Sequence, residues 1–407
     1  MKVWIAIVVG LAGCYGGGGQ IESDARLAID ARGDRGIVRV KVTGFVEKAG
    51  LRVYFQESDS SLSLATRTDA NGEATGRLAR DGFVTLIAGF DPTLTMWTYA
   101  GVQPGDELEF HEPDVDNVET PADSISVFAS DAGAPPFTLR SSCGGQQVIF
   151  DPLPLAMVVS MCSPRMDFLL ELGQVYRYAK DVDPTTRRVD FPGPFVPYGT
   201  STVRVARVPA SIGTVEQSLL GQGFPLVSTT GTAQVLGGEL RATLGLPLPP
   251  AATLLTQIDL AADLREQHVV DWRPAVADID LAFDEIVVAP STESPRYDAS
   301  TTSIVWSEGA GTPGDLVRAT LHWLDGMHSR TRSWVIIGPR GSEPVLRVPR
   351  LPAVDLIPTV DGPQTLESFV VGEQREWLRQ HMHGRWLAVG RAWPTNGPSG
   401  RVVWRSL

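Results

Sequence analysis

Cysteine is scarce in this chain: three among 407 residues, at Cys14, Cys143 and Cys162, with no Cys-x-x-Cys spacing. A four-cysteine zinc site and thioredoxin-type redox chemistry are both excluded by that spacing. Lysine supplies only 4 of the 35 basic residues, and no basic run offsets a net charge of −12. Nucleic acid and anionic lipid surfaces are therefore poor electrostatic partners. Long Ala/Glu/Lys-rich stretches are missing, which argues against extended helices. The apolar run Val3 to Leu11 is nine residues long, short of the roughly 20 that a membrane-spanning helix needs. Catalytic signatures are missing too, with no Gly-x-Ser-x-Gly elbow, no His-Glu-x-x-His and no Walker loop.

What the chain has in excess is turn formers. There are 41 Gly and 30 Pro, about one residue in six, within a globular hydrophobic fraction of 43%. Its length favours two or three domains, each large enough to bury a core. The expected fold class is mainly β, with two or three antiparallel β-sandwich-type domains in tandem. Two modest stretches keep helical character, near Thr214 to Leu220 and Gly372 to Met382.

The N-terminus reads as an address. Lys2 precedes the short apolar run, which fits the h-region of a signal peptide. Leu11-Ala12-Gly13-Cys14 closes it and resembles the bacterial lipobox. The resemblance implies cleavage before Cys14 and acylation of its thiol and new amine, and two or more acyl chains make a stable anchor. Gly16 to Gly19 follow as a flexible leash. Tyr15, rather than Asp, after the cysteine points by the same resemblance to the outer membrane of a Gram-negative cell. With Cys14 assigned to lipid, Cys143 and Cys162 remain as an even pair in an exported, oxidising compartment. They read as a disulfide, a constraint of about 3 kcal/mol in the chain-entropy account, against the alternative of two buried free thiols.

Residues 36–110 carry the clearest strand pattern. Ile37 to Thr43 alternates, and Leu51-Arg52-Val53-Tyr54-Phe55 is β-branched and aromatic. Thr68-Asp69-Ala70-Asn71-Gly72 then gives a hairpin signal, an Asp able to cap its own turn and an Asn-Gly able to supply positive φ. This arrangement, with Gly44-Phe45-Val46 and Gly82-Phe83-Val84 around it, resembles the carboxypeptidase-regulatory-like, transthyretin-type Ig-like domains. The resemblance implies a non-catalytic spacer or binding module. We expect a signal peptide over 1–13, a lipidated Cys and Gly-rich tether over 14–34 and the Ig-like domain over 35–112. An acidic linker follows over 113–123, then a β-domain with the Cys143/Cys162 pair over 124–289 and a Trp-rich β-domain over 290–407. Eight acidic residues in the 18 from Asp106 to Asp123 suit a solvated connector.

The last region holds Trp306, Trp323, Trp334, Trp377, Trp386, Trp393 and Trp404. Such rings either stack on sugars from an exposed sheet face or fill a sandwich core. Four of six histidines lie there too, and His381-Met382-His383 sets two imidazoles on one side of a strand. Gly309-Ala310-Gly311-Thr312-Pro313-Gly314 matches G-x-G-x-x-G literally. It lacks a surrounding βαβ pattern, so a turn loop is expected rather than a dinucleotide site. No cofactor is expected. The expected role is that of a lipid-anchored extracytoplasmic protein, structural or binding rather than enzymatic, with envelope proteins or glycans as partners besides the membrane. A glycan-binding Trp-rich domain and a metal-dependent hydrolase using the C-terminal histidines are the alternatives.

Overall fold

The computed structural model describes residues 35–370 and 400–406, apart from 44, 46, 90–92, 112–121, 131–132, 144, 162–163, 209–211, 222–223, 251, 263–264, 276–277, 290, 326–329 and 352–357. Among them regular structure is strand throughout, with two short 3-10 turns and no α-helix. The architecture is the expected one, mainly β and built of several sandwich-type sheets.

The first unit has seven strands, β1 (Gly36–Thr43), β2 (Arg52–Gln56), β3 (Leu62–Arg67), β4 (Glu73–Leu78), β5 (Gly82–Ala88), β6 (Thr93–Val102) and β7 (Glu107–His111). They form the sheets β4-β1-β7 and β3-β2-β5-β6. Alternation places Val38, Val40 and Val42 of β1 inward against Val53, Phe55, Leu86 and Tyr99 from the other sheet. The Asp69 carboxylate accepts from the backbone N–H of Asn71 (2.8 Å) and Glu73 (2.9 Å), and Gly72 takes φ +81°. The predicted turn is there, yet β3 and β4 do not pair with each other. The turn carries the chain from one sheet to the other, where β4 pairs with β1.

The same pairing recurs along the chain. The second unit runs β8 (Ala122–Ala129), β9 (Phe137–Ser141), β10 (Gln146–Ile149), β11 (Leu155–Ser160), β12 (Met166–Leu172), β13 (Val175–Val182) and β14 (Arg188–Phe191), with β15 (Val196–Pro197) added beside β13. A third unit runs β16 (Gly199–Ala206), β17 (Ile212–Gly221), β18 (Phe224–Leu236), β19 (Glu239–Leu246), β20 (Thr253–Ala262), β21 (Arg265–Pro274) and β22 (Asp278–Ala282). In all three the first strand pairs antiparallel with the fourth and parallel with the seventh. The second pairs with the third and fifth, and the fifth with the sixth. After β23 (Arg296–Asp298), the strands β24 (Ser303–Val305), β25 (Leu316–Asp325), β26 (Arg330–Pro339), β27 (Val345–Arg347), β28 (Thr365–Val370) and β29 (Gly400–Ser406) repeat positions one to six. Short β23 lies antiparallel on the edge of β24 that the seventh strand occupies in the other units. The stretch 124–289 thus carries most of the second copy of the pattern and all of the third.

Thr214 to Leu220 is strand, not helix. Val215, Gln217 and Leu219 alternate into fully buried positions while β17 bonds to β18 and β20 on both sides. Ladder bonding on two edges and a period of two outweigh local propensity here. The second helical candidate, 372–382, lies outside the described residues. So does most of the acidic connector, whose end, Asp123, stands in β8 and bonds the Arg187 guanidinium at 3.1 Å.

Three units share one 15-stranded sheet. The sixth strands of the third and fourth units pair antiparallel, β21 with β29, from Gln267↔Arg405 to Trp272↔Gly400. On its other side the fourth unit offers β26, which pairs parallel with β6 of the first unit from Thr331↔Thr93 to Ile337↔Tyr99. These junctions explain why β5 is buried at all seven positions. One face lines the first unit's core, and Ile87 on the other joins the fourth unit's core with Met96, Trp334 and Ile336. The second unit packs Leu169 and Tyr176 against Leu219 and Leu226 of the third.

Candidate functional site at the junction of the first and fourth units

Cys14 and Cys162 lie outside the described residues. Cys143, just past β9, is half-buried against the second unit's core. Of the seven C-terminal tryptophans, Trp306, Trp323, Trp334 and Trp404 are buried, and Trp377, Trp386 and Trp393 lie outside the described residues. The four are core side chains. Trp306 donates to Glu308 at 2.9 Å, and Trp404 stacks on His268 at 4.8 Å. His328, His381 and His383 are outside the described residues, and among those described no group of three His, Cys, Asp or Glu is placed to hold a metal. The loop of 309–314 is a close-approach turn. Gly311 has φ +149°, and a Cβ on Gly314 would lie 1.9 Å from the Ser368 hydroxyl. Those two glycines answer to packing.

The concave surface with mixed chemistry lies where the first unit meets the fourth. It is a cleft of about 340 Å³ with buried Phe83 and Ala100 beside half-buried Val345, and with Asp81, Arg340, Glu343 and Arg347 as its charged groups. Its geometry follows from the β6–β26 pairing. That pairing brings the β26–β27 turn over the end of β5 and β6, and Gly101 at φ +69° leaves room for Pro339, whose ring a Cβ would approach to 2.6 Å. Arg340 is held in a bidentate pair with Glu308, at 2.9 and 2.8 Å. Arg347 donates to the Ser58 carbonyl at 2.7 Å, and Gln56 donates to the Arg350 carbonyl at 2.6 Å, so both units fix the walls. Beneath them Trp334 donates to Thr98 at 2.8 Å, and Thr98 bonds Thr85 at 2.8 Å. This is a firm wall with a margin that carries both signs of charge.

Other titratable groups are tied into structure. Asp167 and Glu171 project from one face of β12. Tyr178 donates to Asp167 at 2.8 Å, Tyr198 donates to Glu171, and Arg140 pairs with Glu171 at 2.6 Å. Burial first, then the neighbouring carboxylate, pushes both phenols far above the ordinary tyrosine range. They stay protonated and act as donors. In the fourth unit the Asp298 carboxylate, held by the Ser300 hydroxyl and then by Thr301, titrates down at about 2. Because its folded value is depressed, its contribution is present above the unfolded carboxylate range and is lost as pH falls towards 2. A carboxyl NMR titration is expected to find that midpoint, and Ser300→Ala is expected to return it towards 3.8.

No protein-family model matches this chain, and no curated protein matches it. Among solved structures, the Bacillus anthracis TIE protein is similar over 61% of this chain at 8% identity with a TM-score of 0.16. The chain spans half the length of that protein. A likeness of that size carries no argument about fold or activity. The junction cleft was invisible in the sequence, because Asp81 and Arg347 are brought together by strand pairing alone. The one local hint is Arg340-Gly341-Ser342-Glu343-Pro344, a turn sequence rich in polar groups.

Proposed function

We propose that this chain is an extracytoplasmic lipoprotein, tethered through lipidated Cys14 to the outer membrane of a Gram-negative envelope, with a binding or structural role and no catalysis. The single observation that favours binding is the joined sheet. Pairing of β26 with β6 folds the fourth unit back on the first and builds a walled cleft, which an extended spacer would not need. The lipobox and the glycine leash support the tether. We also propose Cys162 as the partner of Cys143, a reading supported by the even pair that remains once Cys14 carries lipid and by the oxidising compartment that the tether implies. Cells expressing the chain and fed labelled palmitate are expected to label it and to lose all label with Cys14→Ala. Unlabelled wild-type protein would defeat the tether. Turnover of any substrate in a hydrolase panel, abolished by one substitution at the cleft, would defeat the non-catalytic role.

A further inference from the structure

The 15-stranded sheet has two ends, β22 and β3, and they are not alike. Open strand edges are templates for pairing, and proteins blunt them with charge, proline, bulges or covering segments. At β22 the guard is charge. Asp278 and Asp280 stand on that edge strand within 3.9 and 3.3 Å of Arg204. At β3 the run Leu62-Ser63-Leu64-Ala65-Thr66 is uncharged, its leucines are 48% and 39% exposed, and among the described residues its strand partner is β2 alone. Two of the corresponding third strands in the other units meet a further strand. In the third unit β18 continues onto β19. In the fourth, β26 receives β6. In the second, β10 has β9 as its strand partner among the described residues, and its Gln147 bonds the Val158 carbonyl of the facing sheet as Ser63 of β3 bonds the Arg77 carbonyl.

We infer that β3 is a docking edge for a second copy of this chain, which pairs its own β3 antiparallel across a two-fold axis and so continues the sheet. Continuity carries the inference. This sheet already grows by edge pairing between units at two places, and β3 is the third-strand position that receives a neighbouring unit at β26. Charge selects the second copy's β3 as occupant rather than its β22. Antiparallel self-pairing centred on Leu64 sets Leu62 against Thr66 of the other copy and puts no like charges opposite each other. It also closes as a dimer. The β22 edge instead brings aspartates already held by Arg204.

Sedimentation of the purified full chain, in detergent to accommodate the proposed lipid anchor, tests this. Wild type is expected to show a dimer mass that dissociates on dilution. Leu64→Lys is expected to weaken it about tenfold or more, about 1.4 kcal/mol, with circular dichroism and melting unchanged. Leu236→Lys, at a more exposed leucine distant in the fold, leaves it intact. Leu64→Cys, which faces its own copy in this register, is expected to trap a covalent dimer under oxidation. A monomer at every concentration would overturn the inference, as would a dimer indifferent to Leu64→Lys or a mass that grows without limit.

Discussion

Trp334→Ala is expected to lower stability by about 3–5 kcal/mol, the cost of emptying a large core site. The indole is 1% exposed and lies where two cores merge, packed with Ile87 and Met96 of the first unit and Leu346 of the fourth. Its N–H donates to the Thr98 hydroxyl, which in turn bonds Thr85. Truncation therefore removes packing on both sides of the β6–β26 ladder and takes away the indole donor to a buried hydroxyl pair. Trp334→Phe separates the two effects. It keeps most of the apolar contact and gives up the hydrogen bond, for which about 0.5–1.5 kcal/mol of the loss is expected. Urea unfolding followed by more than one probe is the suitable measurement, since a chain of several units need not unfold in one step. The Ala variant is expected to split the transition. The first and fourth units lose cooperation while the third, whose core is a separate cluster around Val203, Leu244 and Ile258, retains its midpoint. A loss below about 1 kcal/mol would mean that the parallel ladder holds without its tryptophan.

Much of the local structure is legible in the sequence. Ile37 to Thr43 reads as a strand because its apolar residues recur with the period of a pleat, and it is a strand. The turn at Asp69 is legible because its capping chemistry is local. For Trp306 and Trp334 the sequence leaves sugar stacking and core filling both open, and burial decides for the core. What pairs with what is not legible. Nothing local to Thr93–Val102 says that its free edge meets Arg330–Pro339 some 230 positions later, since that choice is made by packing of Met96 and Ile87 under Trp334. The fourfold recurrence escaped for a related reason. The units share a pairing scheme and no spaced motif, so Leu244 of β19 and Val345 of β27 hold equivalent strand positions in different sequence company. Thr214 to Leu220 misleads for the converse reason. Its central Gln217 looks solvent-seeking, yet it is fully buried and donates to Ser201 at 2.9 Å and Thr256 at 3.2 Å.

The other junction depends on a charge. Asp271 of β21 is 3% exposed and lies directly opposite Arg401 of β29 in the antiparallel register. One carboxylate oxygen accepts from Arg273 Nε at 2.6 Å, and the other accepts from a second Arg273 nitrogen at 2.7 Å and from Arg401 Nε at 3.1 Å. Removing one partner of a buried ion pair costs about 3–5 kcal/mol, because it strands the opposite charge. Here both guanidiniums keep about 30% of their surface in water, so Asp271→Ala is expected near the lower end, about 3 kcal/mol. Asp271→Asn preserves the volume and one acceptor but not the charge, and is expected to fall between Ala and wild type. A double-mutant cycle with Arg401→Ala isolates the bond that crosses the junction. Coupling of about 1 kcal/mol or more is expected for groups in contact. Coupling near zero would assign Asp271 to the third unit alone, and leave β21 and β29 joined by backbone bonds and by the apolar contacts of Val270, Val402 and Trp404.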